Sequence, residues 1–324
     1  MTSITSQDTT ARKPRPPHAS LKPVKKWLIP ACLAAAAAGA WQHLPLRYAL
    51  ISAAGGGNGC PPRLAWRIPE HKAALMRAKD EILAKSRLLQ KEYEGLELYE
   101  TPYGRFWAPP GSRYTLPFNL AEQAVRLYGS GAHFVRKGDI VLDCGANVGV
   151  FTRFALDAGA AKVVAVEPAP DNVECLRRNF PQEIAAGRVV LVPKGVWNRA
   201  GELELKIEEG NEAAATFVMD LKKVDRTVRV PLIPIDALVQ ELGLPRVDFI
   251  KMDIEGAEVR ALEGARNTLA RFHPRLSIAV YHQWDHPVEV PRAARAAWPQ
   301  YQVECGPCDA PGRRQVRPDV LYLR

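Results

Sequence analysis

The stretch 140–168, IVLDCGANVGVFTRFALDAGAAKVVAVEP, constrains the chain more than any other segment. Residues 139–144 form a short apolar run with no helical period, which predicts a strand of a parallel sheet covered on both faces. Gly145-Ala146-Asn147-Val148-Gly149 turns the chain into a helix over 150–158, and 161–166 predicts a second strand ending at Glu167-Pro168. Gly145 removes a Cβ where backbone must approach a ligand, and Gly149 permits close packing of helix on strand. An acidic residue about twenty positions after such a turn can accept hydrogen bonds from a ribose, so this unit reads as a nucleoside-binding half.

Two cofactor classes use such a unit. A dinucleotide fingerprint, G-x-G-x-x-G, cups a pyrophosphate in backbone amides. Here Asn147 stands where the middle glycine would be, and Asp143 places a carboxylate that would repel pyrophosphate at close range. The same carboxylate would attract the ammonium group of S-adenosylmethionine, directly or through water. Asp143, the G-x-x-x-G spacing and Glu167 together favour that ligand over NAD, although Asp143 can equally serve as a cap of the turn.

Strand and helix patterns alternate through the rest of the chain. Helices are expected over 170–180, 236–242 and 257–271. Strands are expected over 188–193, 246–253 and 275–281, with an antiparallel insert from 201–208 and 226–233 and a closing antiparallel pair from 301–305 and 320–323. This order predicts an α/β fold with a mostly parallel sheet. Ligands of such sheets bind beyond the carboxyl ends of the strands, which nominates Asp143, Glu167, Asp253, Tyr281 and His282 for one cleft. Alternation puts Lys251 and Asp253 on one strand face. Asp253 can orient a cofactor, hold a substrate or help bind a cation, and Glu255 is near enough to join it. Glu258 is expected to complement a helix dipole. His282, one residue past the fifth strand, is the candidate general base, because an imidazole titrates near neutral pH. Asp285 and His286 offer a metal alternative for it on weak spacing alone, and no metal is assigned.

Upstream, 1–26 is polar, basic and expected to be disordered, and 27–46 carries no charge and resembles an anchor or signal-like segment. Pro30 and Pro45 interrupt it and alanine dominates it, so it is short for a span. Gly55–Gly59 predicts a flexible joint, 70–94 an amphipathic helix, 96–108 a hairpin around Pro102-Tyr103-Gly104, and 119–128 a short helix. The expected organisation is a tail over 1–26, the apolar segment and joint over 27–59, a helical extension over 60–95 and a catalytic domain over 96–324.

The net charge of +9 is concentrated at the ends. Residues 1–26 hold six Lys/Arg against Asp8, and 311–324 hold four Arg against Asp319, leaving +1 between them. That is no basic face for a phosphate backbone, so nucleic acid is not the expected partner. Of the six cysteines, Cys32, Cys144 and Cys175 lie in apolar segments as free thiols would, which suggests a reducing compartment. Cys305-Gly306-Pro307-Cys308 lacks both the following helix of a redox site and a second pair for zinc, so it reads as a loop between the last two strands. A cytoplasmic domain whose N-terminal extension can touch a membrane is the resulting expectation.

The motifs VLDCGANVGVFT (141–152), VEP (166–168), IPIDAL (233–238) and IKMDIEGAE (250–258) resemble the FkbM family of S-adenosylmethionine-dependent methyltransferases in order and spacing, from about residue 96 to the C-terminus. The first motif is common to many class I methyltransferases, and the KxDxEGxE form is the one particular to this family. The resemblance implies the class I (Rossmann-like) methyltransferase fold and transfer to oxygen of a sugar, lipid-linked or secondary-metabolite acceptor. It carries cofactor roles onto Asp143, Gly145, Ala146, Asn147, Gly149, Glu167 and Pro168, and puts Asp253 at the cleft. The rival readings are an NAD(P)-dependent oxidoreductase and a non-catalytic scaffold that keeps the fold. An acceptor wall is expected from 96–118 and 209–227, where Tyr103, Phe106, Trp107, Arg113 and Tyr114 can stack a ring or serve as core.

Overall fold

The computed structural model describes residues 39, 42–92, 95–208, 215–219, 224–312 and 314–324, and Leu44–Arg324 forms one compact unit. Most of the apolar segment 27–46, together with Asn211 of the insert, lies outside the described residues. Among the described residues, no helix is long and apolar enough to cross a membrane.

The unit opens with α1 (Leu44–Ile51) and α2 (Ile68–Lys85), followed by a three-stranded antiparallel sheet of β1 (Arg87–Lys91), β2 (Glu97–Thr101) and β3 (Gly104–Ala108). The hairpin of β2 and β3 turns at Pro102-Tyr103, as its glycine and proline predict. The helix expected over 70–94 ends at Lys85 instead. Ser86 is extended, and residues 87–91 pair with β2 despite good helix formers in the segment. Strand pairing supplies backbone partners that local propensity does not anticipate.

After α3 (Thr115–Ala124) come β4 (Ile140–Cys144), α4 (Val150–Asp157), β5 (Lys162–Val166), α5 (Pro170–Asn179) and β6 (Val189–Val192). A small separate sheet follows, with β7 (Gly195–Val196) parallel to β9 (Arg226–Ile233) and β8 (Gly201–Ile207) antiparallel to it. The second half runs α6 (Ile235–Glu241), β10 (Phe249–Met252), α7 (Glu258–Glu263), α8 (Arg266–Phe272), β11 (Arg275–Ala279) and α9 (His286–Ala297). It closes with β12 (Val303–Cys305), β13 (Cys308–Gly312), β14 (Gln315–Pro318) and β15 (Val320–Leu323).

The main sheet has seven strands in the order β12-β15-β11-β10-β4-β5-β6. The five from β11 to β6 are mutually parallel, and β15 is antiparallel to both of its neighbours. One apolar layer joins this sheet to α6, α7, α8 and α9, and another joins it to α4 and α5. Burial on both faces explains why β4 and β5 read as unbroken apolar runs. The sheet reverses direction of winding between β4 and β10, so a crevice opens past Cys144, Val166 and Met252.

The cysteine expectations need correction. Cys60 and Cys308 form a disulfide across 248 residues, so Cys308 is neither a loop thiol nor one half of an isolated CxxC. The glycine-rich stretch at 55–59, just ahead of Cys60, is wound into turns rather than forming a free joint. Ile51, Ala65 and Ile68 thereby pack with Val316 around the bridge. A cross-link between segments this distant is invisible to spacing rules, and it removes the all-thiol basis for expecting a reducing compartment. Cys144 and Cys175 are free and buried, as small hydrophobes.

Candidate active site

The crevice is walled by three strand ends and by α3. Its floor is the turn at 145–149, whose five amides are all engaged within the chain. Gly145 and Ala146 donate to Val166 O, Asn147 to Glu167 Oε2 at 2.8 Å, Val148 to Asn147 Oδ1 and Gly149 to Ala146 O. An amide already committed offers nothing to a pyrophosphate, so the turn does not form a dinucleotide cradle. Asn147 takes a left-handed φ of 50°, a conformation its short polar side chain tolerates.

Gly145 is required for a different contact from the one its position suggests. A Cβ there would lie 1.9 Å from Asp253 O, so the glycine lets the ends of β4 and β10 approach each other. A Cβ on Gly149 would lie 2.2 Å from Phe180, just past α5. Its role is helix on helix, rather than helix on strand.

Glu167, at the end of β5, is 5 % exposed and faces the cavity. Among the described residues Oε2 accepts the Asn147 amide alone, while Oε1 accepts Ala169 N and Asn172 Nδ2. Burial raises its pKa, opposed by these donors. A buried carboxylate with acceptor capacity left on one oxygen fits the hydroxyls of a ribose, and Pro168, Val166 and Val196 supply an apolar wall beside it. Ala146 and Asn147 also line the cavity.

Asp143 lies beneath this floor. It is fully buried, accepts the Thr152 hydroxyl at 2.7 Å and stands 3.5 Å from Lys251 Nζ. Burial raises its pKa, with Lys251 and Thr152 opposing. Burial lowers that of Lys251, but Asp143 and Asp253 more than offset it, so the ammonium stays charged. Lys251 Nζ also donates to Gly145 O at 2.9 Å. The strand alternation that placed Lys251 and Asp253 together is realised, whereas Asp143 is paired within the core and does not reach the cavity wall.

At the far side of β4, Asp253 follows β10 and faces the cavity. Its Oδ2 accepts the Tyr128 hydroxyl at 2.6 Å and Oδ1 the Tyr281 hydroxyl at 3.2 Å. Burial raises its pKa, but Lys251, His282 and these hydroxyls bring it below the usual value. Glu255, at φ 52°, faces the same space, and burial raises its pKa. His282 stands behind the two carboxylates and does not line the cavity. Its Nε2 is 3.4 Å from Asp253 Oδ1 and from Glu255 Oε2, and its Nδ1 is 2.8 Å from Glu258 Oε1. Burial pulls the imidazole pKa down, but Glu258 and Glu255 drive it well above the ordinary value. Glu258 is fully buried, accepts Ile254 N and stands 3.3 Å from His286 Nδ1. It is the pivot of this cluster rather than a simple helix-end charge.

Sequence reasoning missed Tyr128, Glu122 and Thr152. Tyr128 and Glu122 were assigned to a helix over 119–128, but α3 spans Thr115–Ala124 and Arg126 turns left-handed, which delivers Tyr128 to Asp253. Glu122 lines the cavity, and burial beside Asp253 raises its pKa well above the usual range. No periodicity announces either role. Of the expected acceptor residues, Phe106 is core, Trp107 packs under Arg178 and Tyr103 meets Phe154. None of Tyr103, Phe106, Trp107, Arg113 and Tyr114 lines the cavity, whose α3 side presents Thr115, Phe118, Asn119 and Gln123, with Phe217 facing it from the insert.

Residues 143–302 match the model of the methyltransferase FkbM domain. The hexuronic acid methyltransferase AglP of Haloferax volcanii is 28% identical over 131 residues, covering 40% of this chain and 52% of that protein. The 31-O-demethyl-FK506 methyltransferase FkbM of Streptomyces tacrolimicus is 28% identical over 160 residues, covering 41% of this chain and 62% of that protein. The chain thus spans between about half and three-fifths of the length of these relatives. A solved FkbM methyltransferase from Methylobacillus flagellatus superposes with a TM-score of 0.46 at 18% identity, covering 81% of this chain and 60% of that one. The motif-bearing strand ends, the doubly wound sheet and the matched residues agree: the chain carries a class I methyltransferase domain of the FkbM family, with S-adenosylmethionine as its cofactor.

Proposed function

We propose that this chain is an O-methyltransferase acting on a hydroxyl of a sugar, lipid-linked or secondary-metabolite acceptor. The observation that carries the reading is the division of one cavity into two chemistries. Glu167 and its apolar neighbours lie at the end of β5, and a carboxylate-rich cluster of Asp253, Glu255 and Glu122 lies across β4 from it. The first half suits a nucleoside, and the second suits a hydroxyl that must lose a proton. Of the two relatives, one is named for a hexuronic acid and the other for a 31-O-demethyl acceptor, and the second name supports oxygen as the acceptor atom.

Glu167, Asn147 and Pro168 would hold the nucleoside end of S-adenosylmethionine, which when bound supplies a methyl group already activated on a sulfonium. The remaining work is alignment, exclusion of water and disposal of a proton. Asp253 aligns the acceptor hydroxyl, itself fixed by Tyr128 and Tyr281. The proton passes into the Asp253–Glu255 pair, with His282 behind them as a positioning residue held by Glu258. Gly145 and Gly149 act through packing and Asp143 through Lys251. The transferase module is assigned to 96–324, with 60–95 as an extension that is helical up to Lys85 and then adds β1 to the module's β2.

Calorimetric titration with S-adenosylmethionine and NADH, followed by transfer from labelled S-adenosylmethionine to sugar, lipid-linked and polyketide hydroxyl acceptors, tests the reading. Binding of S-adenosylmethionine alone and an ether product are expected. Preference for NADH, or methyl groups recovered on nitrogen or carbon, would overturn it.

A further inference from the structure

His282, Asp253 and Glu255 hold their polar atoms at a separation that hydrogen bonding does not account for. His282 Nε2 lies 3.4 Å from both Asp253 Oδ1 and Glu255 Oε2, longer than the roughly 2.7–3.2 Å of an N–H···O bond. The atom is buried and without a hydrogen-bond partner among the described residues, and the imidazole is only 2% exposed. Two ligands each about 2.1 Å from one cation stand roughly 3–3.5 Å apart. Each of these two separations from Nε2 is one that two ligands of a shared ion would have.

The opposite edge of the ring is already oriented for such a role. Nδ1 is 2.8 Å from Glu258 Oε1, which also accepts the Ile254 amide, and an ionised carboxylate can only accept. Nδ1 therefore carries a hydrogen, and Nε2 is the atom directed at Asp253 and Glu255. A carboxylate behind the ring is how metal-binding histidines are commonly held. Tyr128 fixes the other oxygen of Asp253.

We propose that a divalent cation binds between His282 Nε2, Asp253 Oδ1 and Glu255 Oε2, with Glu258 as the residue that orients the histidine. Two carboxylates and one imidazole form a mainly hard set suited to an ion of the Mn2+ class. Binding displaces any proton from Nε2. That the ion would then lie beside the acceptor hydroxyl and favour its ionisation rests on the methyltransferase reading, and in that state Glu122 is the cavity carboxylate left outside the ligand set.

The test uses the full chain, stripped with a chelator and titrated with MnCl2 in the absence of S-adenosylmethionine. Free Mn2+ is followed by electron paramagnetic resonance, and the bound ion is probed by pulsed measurement for coupling to a nitrogen nucleus. One Mn2+ per chain with imidazole nitrogen coupling is expected. Glu255→Gln and His282→Gln each weaken binding about tenfold or more, His282→Gln removes the coupling, and Glu258→Gln weakens binding roughly 10–100-fold. Absence of stoichiometric binding, or bound Mn2+ without nitrogen coupling in the parent chain, overturns the proposal without reliance on any variant. Loss of S-adenosylmethionine binding or transfer would overturn the methyltransferase reading and leave the Mn2+ result standing.

Discussion

Lys251 is 4% exposed, and its ammonium is balanced by Asp143 beneath the turn and Asp253 at the cavity. Removing one partner of a buried pair leaves the other charge uncompensated, which costs about 3 kcal/mol or more. Asp143→Asn is therefore expected to lower stability by about that amount in chemical denaturation, and Asp143→Asn combined with Lys251→Met to recover much of it. Equal losses in the single and double variants would contradict the pairing. Glu167→Ala removes a carboxylate that lines the cavity and is expected to raise the Kd for S-adenosylmethionine roughly 10–100-fold, the effect of a hydrogen-bonded charged group. Asp253→Asn should leave that Kd within a few-fold while lowering kcat by about 100-fold or more. A kcat unchanged by Asp253→Asn would remove this residue from the reaction. Asp143, Glu167 and Asp253 were all legible as strand-end carboxylates, but their division of labour was not. Whether a carboxylate meets a lysine or a cavity depends on residues 108 positions away, such as Lys251 opposite Asp143 across β4 and β10.

The elements were most legible where periodicity and turn chemistry agreed, as in β4, α4 and β5, whose observed bounds lie within a residue or two of those expected. They were least legible where pairing or packing outweighed propensity. The stretch expected as one helix over 257–271 is two, α7 and α8, and the first is capped at Gly264, where a Cβ would lie 2.3 Å from the Trp197 carbonyl oxygen. The approach of β4 to β10 is tighter still. At Gly145, with φ 78°, an added Cβ would meet backbone rather than a flexible side chain. Gly145→Ala is expected to prevent accumulation of soluble folded protein, with circular dichroism and expression yield as the readouts; a folded variant of parental stability would show that the strand ends can separate at little cost.

At the scale of the whole molecule, one covalent link ties the segment ahead of α2 to the closing strands. The Cys60–Cys308 bridge joins segments 248 residues apart, and such a constraint on the unfolded chain is worth about 2–5 kcal/mol. Reductant is expected to lower the melting temperature of the parent and to leave that of the Cys60→Ser, Cys308→Ser double variant unmoved. Asp319 precedes β15 and is half-buried, and burial pushes its pKa up to about 7 from an ordinary 3.8. The folded chain thus binds this proton more tightly than the unfolded chain does. The cost of ionising it in the fold is absent below about pH 4, grows through the window up to about 7, and is complete above it. Asp319→Asn is expected to be more stable than the parent at about pH 8, with the difference closing as pH falls toward 4. A constant difference across that range would assign the effect to something other than ionisation.

By itself the sequence determined the doubly wound architecture, the glycine turn, the family and the strand ends at which a site must form, because apolar period, turn residues and motif spacing are local properties. Only the tertiary structure decided which carboxylates face the cavity, that Tyr128 and Glu258 complete the cluster around His282, and that Cys60 meets Cys308. These are contacts between segments far apart in the chain. They follow from how layers pack rather than from any pattern along it.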